Sequence, residues 1–220
     1  MRCAPRGDAR QAHGAVTRQP DRGACAWSRC RPVIALAGVL LIAACTRGEA
    51  ELPGTLLDRV PAPDFRLLDQ AGREVTISGL RGHVVVLTFM YTTCPDFCPA
   101  TAEKLRRTWE LLGADAARVR FVAVSVDPRG DTPQAAREFS ARHRLPDEVW
   151  HYLVGSEAEL EPVWARYGIA SLRAPESAMP AAVGHTEALY LIDPQGRERT
   201  LLRGDFDPAQ LAQTLRTLLK

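Results

Sequence analysis

The chain has 220 residues, 46% of them hydrophobic, which is enough for one domain with a full core plus a targeting segment. The formal charge of +2 is unevenly spread: seven arginines against Asp8 and Asp21 give residues 1–44 a charge of +5, leaving −3 for the rest. A weakly acidic body argues against nucleic acid as a partner, and six cysteines of which only Cys94 and Cys98 lie in the body exclude a scaffold built on disulfides.

Residues 1–32 are rich in Arg, Gly and Ala without helical or strand period, and read as an over-long n-region or a disordered leader. Val33–Ala44 is an apolar run of signal-peptide length, too short to span a bilayer of about 30 Å comfortably. It ends in Ile42-Ala43-Ala44-Cys45, which resembles a bacterial lipobox; the resemblance implies a lipid on Cys45 and a mature chain beginning there. An uncleaved anchor is the alternative, and either one predicts an exported, membrane-tethered body on the periplasmic side of a bacterial membrane. Residues 45–60 read as a polar linker and 61–220 as the folded domain.

Within that domain, Phe65–Leu68 and Glu74–Ile77 flank Asp69-Gln70-Ala71-Gly72 as a β-hairpin. Val84–Met90 is a continuous apolar run and reads as a buried strand. Ala100–Leu112 follows as a helix with Pro99 in its first turn, so Cys94 falls in the loop and Cys98 beside the helix N-terminus. There, free backbone N–H groups and the helix dipole can lower a cysteine pKa from about 8.5 into roughly 3.5–7.5. The four-residue spacing lets both sulfurs share one face and hold one ligand or form one bridge, against the plainer reading of two buried cysteines.

Val119–Val126 is the second buried strand, ending at Asp127-Pro128. A carboxylate there lies at the C-terminal edge of a strand, where open α/β sheets hold ligands, or else serves the turn before Pro128. Asp131 or Thr132 starts the helix Pro133–Arg142, which makes Asp131 mainly structural. Trp150–Leu153 reads as a strand and Glu157–Tyr167 as a helix. Ile169–Gly184 is a long Ala-, Ser- and Pro-rich loop leading to His185 and the strand Thr186–Asp193. Glu198–Arg203 and the helix Pro208–Leu219 close the chain, with Leu211, Leu215 and Leu218 on one helix face. His83 reads as a solvated loop residue, and His143 and His151 have no partner at metal spacing. There is no internal repeat and no phosphate-binding glycine motif.

This α/β order resembles a thioredoxin-like fold with an N-terminal β-hairpin and an inserted loop before the histidine-bearing strand. In such folds that loop lies against the cysteine loop, so the resemblance implies that His185 faces Cys94 and Cys98. Two thiolates and an imidazole suit copper in either oxidation state, Cu(I) or Cu(II), and also zinc, although a closed zinc site would need a fourth ligand.

Three stretches carry a more specific resemblance: Tyr91-Thr92-Thr93-Cys94-Pro95-Asp96-Phe97-Cys98-Pro99, Ser125-Val126-Asp127-Pro128-Arg129-Gly130-Asp131-Thr132-Pro133, and His185 ahead of Tyr190-Leu191-Ile192-Asp193-Pro194-Gln195-Gly196. The sequence from about Pro61 onward resembles the SCO/SenC family of copper-binding assembly factors for cytochrome c oxidase. The resemblance implies Cys94, Cys98 and His185 as copper ligands, with Asp127 near the site. It also implies that subunit II of the oxidase is the recipient, supplied through a copper donor and a thiol reductant. Gly184 stands where the family often has an acidic residue, and His83 where it usually has lysine. Two alternatives use the same pair: a thiol–disulfide reductase, for which the loop is one residue longer than CxxC, and a thiol peroxidase, for which Thr93 has no clear partner.

Overall fold

Parallel strands that are covered on both faces must be apolar at every position, and two stretches of the chain meet that demand. In the computed structural model these are β4 (Val84–Met90), buried throughout, and β5 (Val119–Ser125), buried at all but one position. The structure describes residues 52–169, 172–173, 183–184 and 188–220. The leader, Cys45, most of the 169–184 loop and His185 lie outside the described residues.

Around that pair runs an eight-stranded sheet in the order β1-β10-β9-β4-β5-β6-β2-β3. Here β1 is Thr55–Leu56, β2 Arg66–Asp69, β3 Glu74–Thr76, β6 Trp150–Val154, β9 Ala188–Ile192 and β10 Glu198–Arg203. Strands β4, β5 and β6 are parallel, and β9 and β10 continue the sheet antiparallel. The remaining strands, β7 (Leu172–Arg173) and β8 (Val183–Gly184), pair with each other as a separate short ladder within the stretch read as an aperiodic loop.

The helices are α1 (Phe97–Leu112), α2 (Pro133–Arg142), α3 (Glu157–Arg166) and α4 (Pro208–Leu218). Helix α1 packs against α4, and α2 against β6. The starts of α2, α3 and α4 each have a local cause: the Thr132 hydroxyl accepts from Ala135 N at 3.1 Å ahead of Pro133, Ser156 and Glu159 form a capping box, and the Asp207 carboxylate accepts from Gln210 N. The N-cap of α1, Asp96, makes no side-chain cap, which leaves the first turn of that helix to the cysteine loop.

One stretch behaves differently from its sequence reading. Residues 52–62, mostly assigned to the linker, run along β10: Thr55 pairs with Leu201, Leu57 N donates to Arg199 O, and Ala62 N donates to Gly196 O. Glycine is required at Gly54, because its φ is +85° and a Cβ would meet Leu201 O at 2.4 Å. Among the described residues no helix is long and apolar enough to cross a membrane.

Candidate metal centre

Because β4, β5 and β6 are parallel, their C-terminal ends open at one edge of the sheet, and the loops leaving them are neighbours. The loop after β4 carries both cysteines. It is tied down by Val126 N donating to Met90 O at 3.0 Å and by a turn in which Cys94 N donates to Tyr91 O.

Helix α1 begins at Phe97, so Cys98 lies inside its first turn rather than beside it. Cys94 and Cys98 are both buried, both reduced and in contact: Cys98 N donates to Cys94 Sγ at 3.4 Å. The N–H that the helix terminus offers is therefore spent on the sulfur of the other cysteine. This reverses the expectation of a lowered pKa at Cys98. Its thiol is pushed up, first by its hydrogen bond with the Cys94 side chain and then by burial, with the charges of Cys94 and Asp131 adding to this and a Tyr91 backbone hydrogen bond opposing it. In a coupled pair the second proton is the hard one to remove. A soft cation can take its place, because it compensates both sulfurs at once.

A cavity of about 10 Å³ lies against Cys98, lined also by Met90, Phe97, Thr101, Leu189 and Gly204, and its size suits one water-sized occupant. Phe97, between the cysteines, is 61% exposed, so the pair sits just beneath a surface with an apolar side chain on it.

The second motif divides its two aspartates in a way the sequence did not reveal. Asp127 is buried two residues past the end of β5, and its carboxylate folds back over the turn that follows. A Cβ on Gly130 would meet Asp127 Oδ2 at 2.3 Å, so any other residue there would push the Asp127 carboxylate aside. Asp131, assigned mainly to the helix start, is instead the hub of the edge. Its Oδ1 accepts from Thr92 N at 2.8 Å and Thr92 Oγ1 at 2.7 Å, and its Oδ2 from Ser125 Oγ at 2.6 Å and Tyr152 Oη at 3.0 Å. Burial pushes its pKa up, further than these hydrogen bonds pull it back. The available signal was Thr132-Pro133: once Thr132 caps α2, the side chain of Asp131 has no work at the helix.

The other histidines are placed as follows. His83 is half-buried rather than solvated, with Nδ1 buried and without a hydrogen-bond partner. His143 packs on Phe139, and His151 Nδ1 pairs with Asp69 Oδ2 at 3.0 Å. Among the described residues no three His, Cys, Asp or Glu side chains form a cluster able to hold a metal, and the expected third ligand, His185, is outside them.

The model of the SCO1/SenC family matches residues 57–220, three quarters of the sequence and every element of the sheet but the first strand. The chain belongs to the SCO1/SenC family. ScoI of Bradyrhizobium japonicum, in a structure with copper bound, is 29% identical with a TM-score of 0.64, covering 71% of this chain and 98% of that one. The apo Sco1 protein of Thermus thermophilus is also 29% identical, with a TM-score of 0.63 over 76% of this chain and 95% of that one. An SCO1 protein homolog of Bacillus subtilis is 28% identical over 162 residues, 73% of this chain and 82% of its own. The SCO1/SenC sheet with its flanking helices is the thioredoxin-like fold expected from the element order.

Proposed function

We propose that this SCO1/SenC protein is a metallochaperone that takes up one copper ion on Cys94, Cys98 and His185 and passes it to the binuclear copper centre in subunit II of cytochrome c oxidase. The observation that carries this reading is the buried, reduced, hydrogen-bonded pair at the start of α1. Copper is the cargo, and two sulfurs with one imidazole are the soft-to-borderline set it prefers.

Support for His185 comes from its neighbours along the chain. Ala188 opens β9, which runs antiparallel to β4, so β9 starts at the end of β4 that leads into the cysteine loop. Leu189 lines the small cavity beside Cys98. The copper-bound relative from B. japonicum supports the choice of metal. Asp127 acts beside the site without ligating. A lipid on Cys45 tethers the domain on the periplasmic face, and a copper donor and a thiol reductant serve it there.

The protein's own residues do the following. Cys94 and Cys98 release their protons as copper arrives, and the N–H of Cys98 continues to support Cys94 Sγ. A Cys94–Cys98 disulfide offers no thiolate, so loading requires the reduced pair. His185→Ala is expected to lower copper affinity at least tenfold while the dithiol stays redox-active; wild-type affinity in that variant overturns His185 as a ligand.

The contact between the cysteines also favours a second reading, reduction of a disulfide on the oxidase subunit or another exported protein. It predicts insulin reduction by the metal-free protein faster than by a free dithiol, and a rate no faster excludes it.

A further inference from the structure

The cysteine loop leaves β4 after Met90 and enters α1 at Phe97, and what lies between sets where the sulfurs stand. Thr92, two residues before Cys94, gives both of its donors to one oxygen of Asp131. The other oxygen of the same carboxylate takes the hydroxyls of Ser125, at the end of β5, and Tyr152, in β6. One side chain thus joins the loop of one strand to the bodies of two others.

A carboxylate meets this demand directly, since it accepts on both oxygens, whereas an amide meets it only when the hydroxyls on its NH2 side turn and accept. The arrangement is costly. Asp131 is 3% exposed, and every donor bonded to it is a neutral hydroxyl or amide. The helix start does not need it, because Thr132 caps α2. Nor does the turn before it, where Gly130 N and Asp131 N both donate to the backbone carbonyl of Asp127. A buried charge that the local structure does not require, with half of its hydrogen bonds spent on the cysteine loop, points to a task in that loop.

We infer that Asp131 is the positioning residue of the dithiol: by clamping Thr92 it keeps Cys94 Sγ within reach of the Cys98 N–H and holds the metal-free pair as an open dithiol instead of letting it close to a disulfide. It acts through Thr92. The inference rests on reading Cys94 and Cys98 as the working pair, but its test needs no copper.

The full chain in detergent, metal-free, is equilibrated with reduced and oxidised glutathione. Oxidised glutathione takes two electrons and two protons from Cys94 and Cys98, its own S–S bond breaks as the Cys94–Cys98 bond forms, and two reduced glutathione molecules leave. In Asp131→Ala the equilibrium is expected to move at least tenfold toward disulfide, about 30 mV for a two-electron couple. Asp131→Asn is expected within threefold of wild type. Its carbonyl oxygen accepts both Thr92 donors, while its NH2 meets the Ser125 and Tyr152 hydroxyls, which are able to turn and accept. Thr92→Val, which loses the hydroxyl and keeps the N–H, falls between them.

An Asp131→Ala equilibrium within twofold of wild type overturns the inference. So does an Asp131→Asn shift as large as that of Asp131→Ala, which makes the charge the agent instead of the clamp. If Asp131→Ala does not fold, Thr92→Val decides: a threefold or larger shift toward disulfide supports the clamp, and no shift overturns it. Copper affinity is measured separately on the wild type. A protein that shows the glutathione shifts but binds no copper loses the metallochaperone reading alone, and one that binds copper without the shifts loses only the role of Asp131.

Discussion

Asp69 and Asp131 are two nearly inaccessible aspartates, 1% and 3% exposed, and each accepts hydrogen bonds on both oxygens, yet they are held in opposite ways. Asp69 is the last residue of β2, at the edge of the β2–β3 turn, and accepts from Ala71 N, Arg73 N, Arg73 Nε and the imidazole of His151. Burial alone would raise its pKa, but the hydrogen bonds from His151 and Arg73 hold it below the ordinary carboxylate value. Asp131 has only neutral donors, and burial pushes its pKa up.

The comparison separates fold from site. A guanidinium and two turn amides offset the burial of Asp69, and the same turn recurs at Asp193, which accepts from Gln195 N, Arg197 N and Arg197 Nε. That repetition marks a device for closing hairpins. Asp131 has no cation among those donors and no such twin among the described residues, and half of its hydrogen bonds go to the cysteine loop.

The largest expected effect is on the fold side. Asp69→Ala leaves Arg73, His151 and two backbone amides without their acceptor and is expected to lower stability by about 3 kcal/mol in urea unfolding, as leaving buried donors unpaired does. The glutathione equilibrium of the cysteines is expected to stay within twofold of wild type. A tenfold change there would erase the distinction between the two aspartates.

Acid should read out the Asp69 side in two steps. His151 has its pKa lowered by burial, with the charge of Arg73 adding and Asp69 opposing, so the unfolded chain takes up a proton near pH 6.5 that the fold refuses. Stability is therefore lost as pH falls from about 6.5 through the lowered folded value. Asp69 adds stability above the ordinary value of 3.8 and loses it as pH falls through its own lowered value. Unfolding midpoints from pH 8 to pH 3 check both steps, and the gap between wild type and Asp69→Asn should close only below about pH 3.8. A midpoint that does not move between pH 7.5 and pH 5 contradicts the assignment of His151.

The smallest effect isolates the turn. Gly72 has φ +78° with nothing within 4 Å of a built Cβ, so Gly72→Ala meets backbone strain alone and is expected to cost about 1 kcal/mol. A cost above about 3 kcal/mol would show that the Asp69 turn tolerates no adjustment.

Sequence patterns revealed the elements whose causes are local. Val84–Met90 is delimited by its own apolar run, and Pro133–Arg142 by a cap and a proline at its start. The edge strand Thr55–Leu56 was not legible, because both residues are exposed and only pairing with Thr200 and Leu201, far along the chain, makes it a strand. In the site, the four-residue spacing pointed to a contact between Cys94 and Cys98, but α1 starts only at Phe97, so Cys94 reaches the Cys98 N–H from the loop and not from a helical turn. The raised thiol of Cys98 depended on its side-chain hydrogen bond with Cys94 and on its burial, and the role of Asp131 on two strands and a loop meeting in space. Neither is a matter of spacing along the chain.

X-ray absorption at the copper edge, on the reduced full chain loaded with one equivalent of copper, tests the proposed centre most directly. The account predicts two sulfur neighbours and a nitrogen neighbour with the outer-shell scattering of an imidazole, and loss of that imidazole signal in His185→Ala. A copper environment of oxygen and nitrogen alone, with no sulfur, would contradict it.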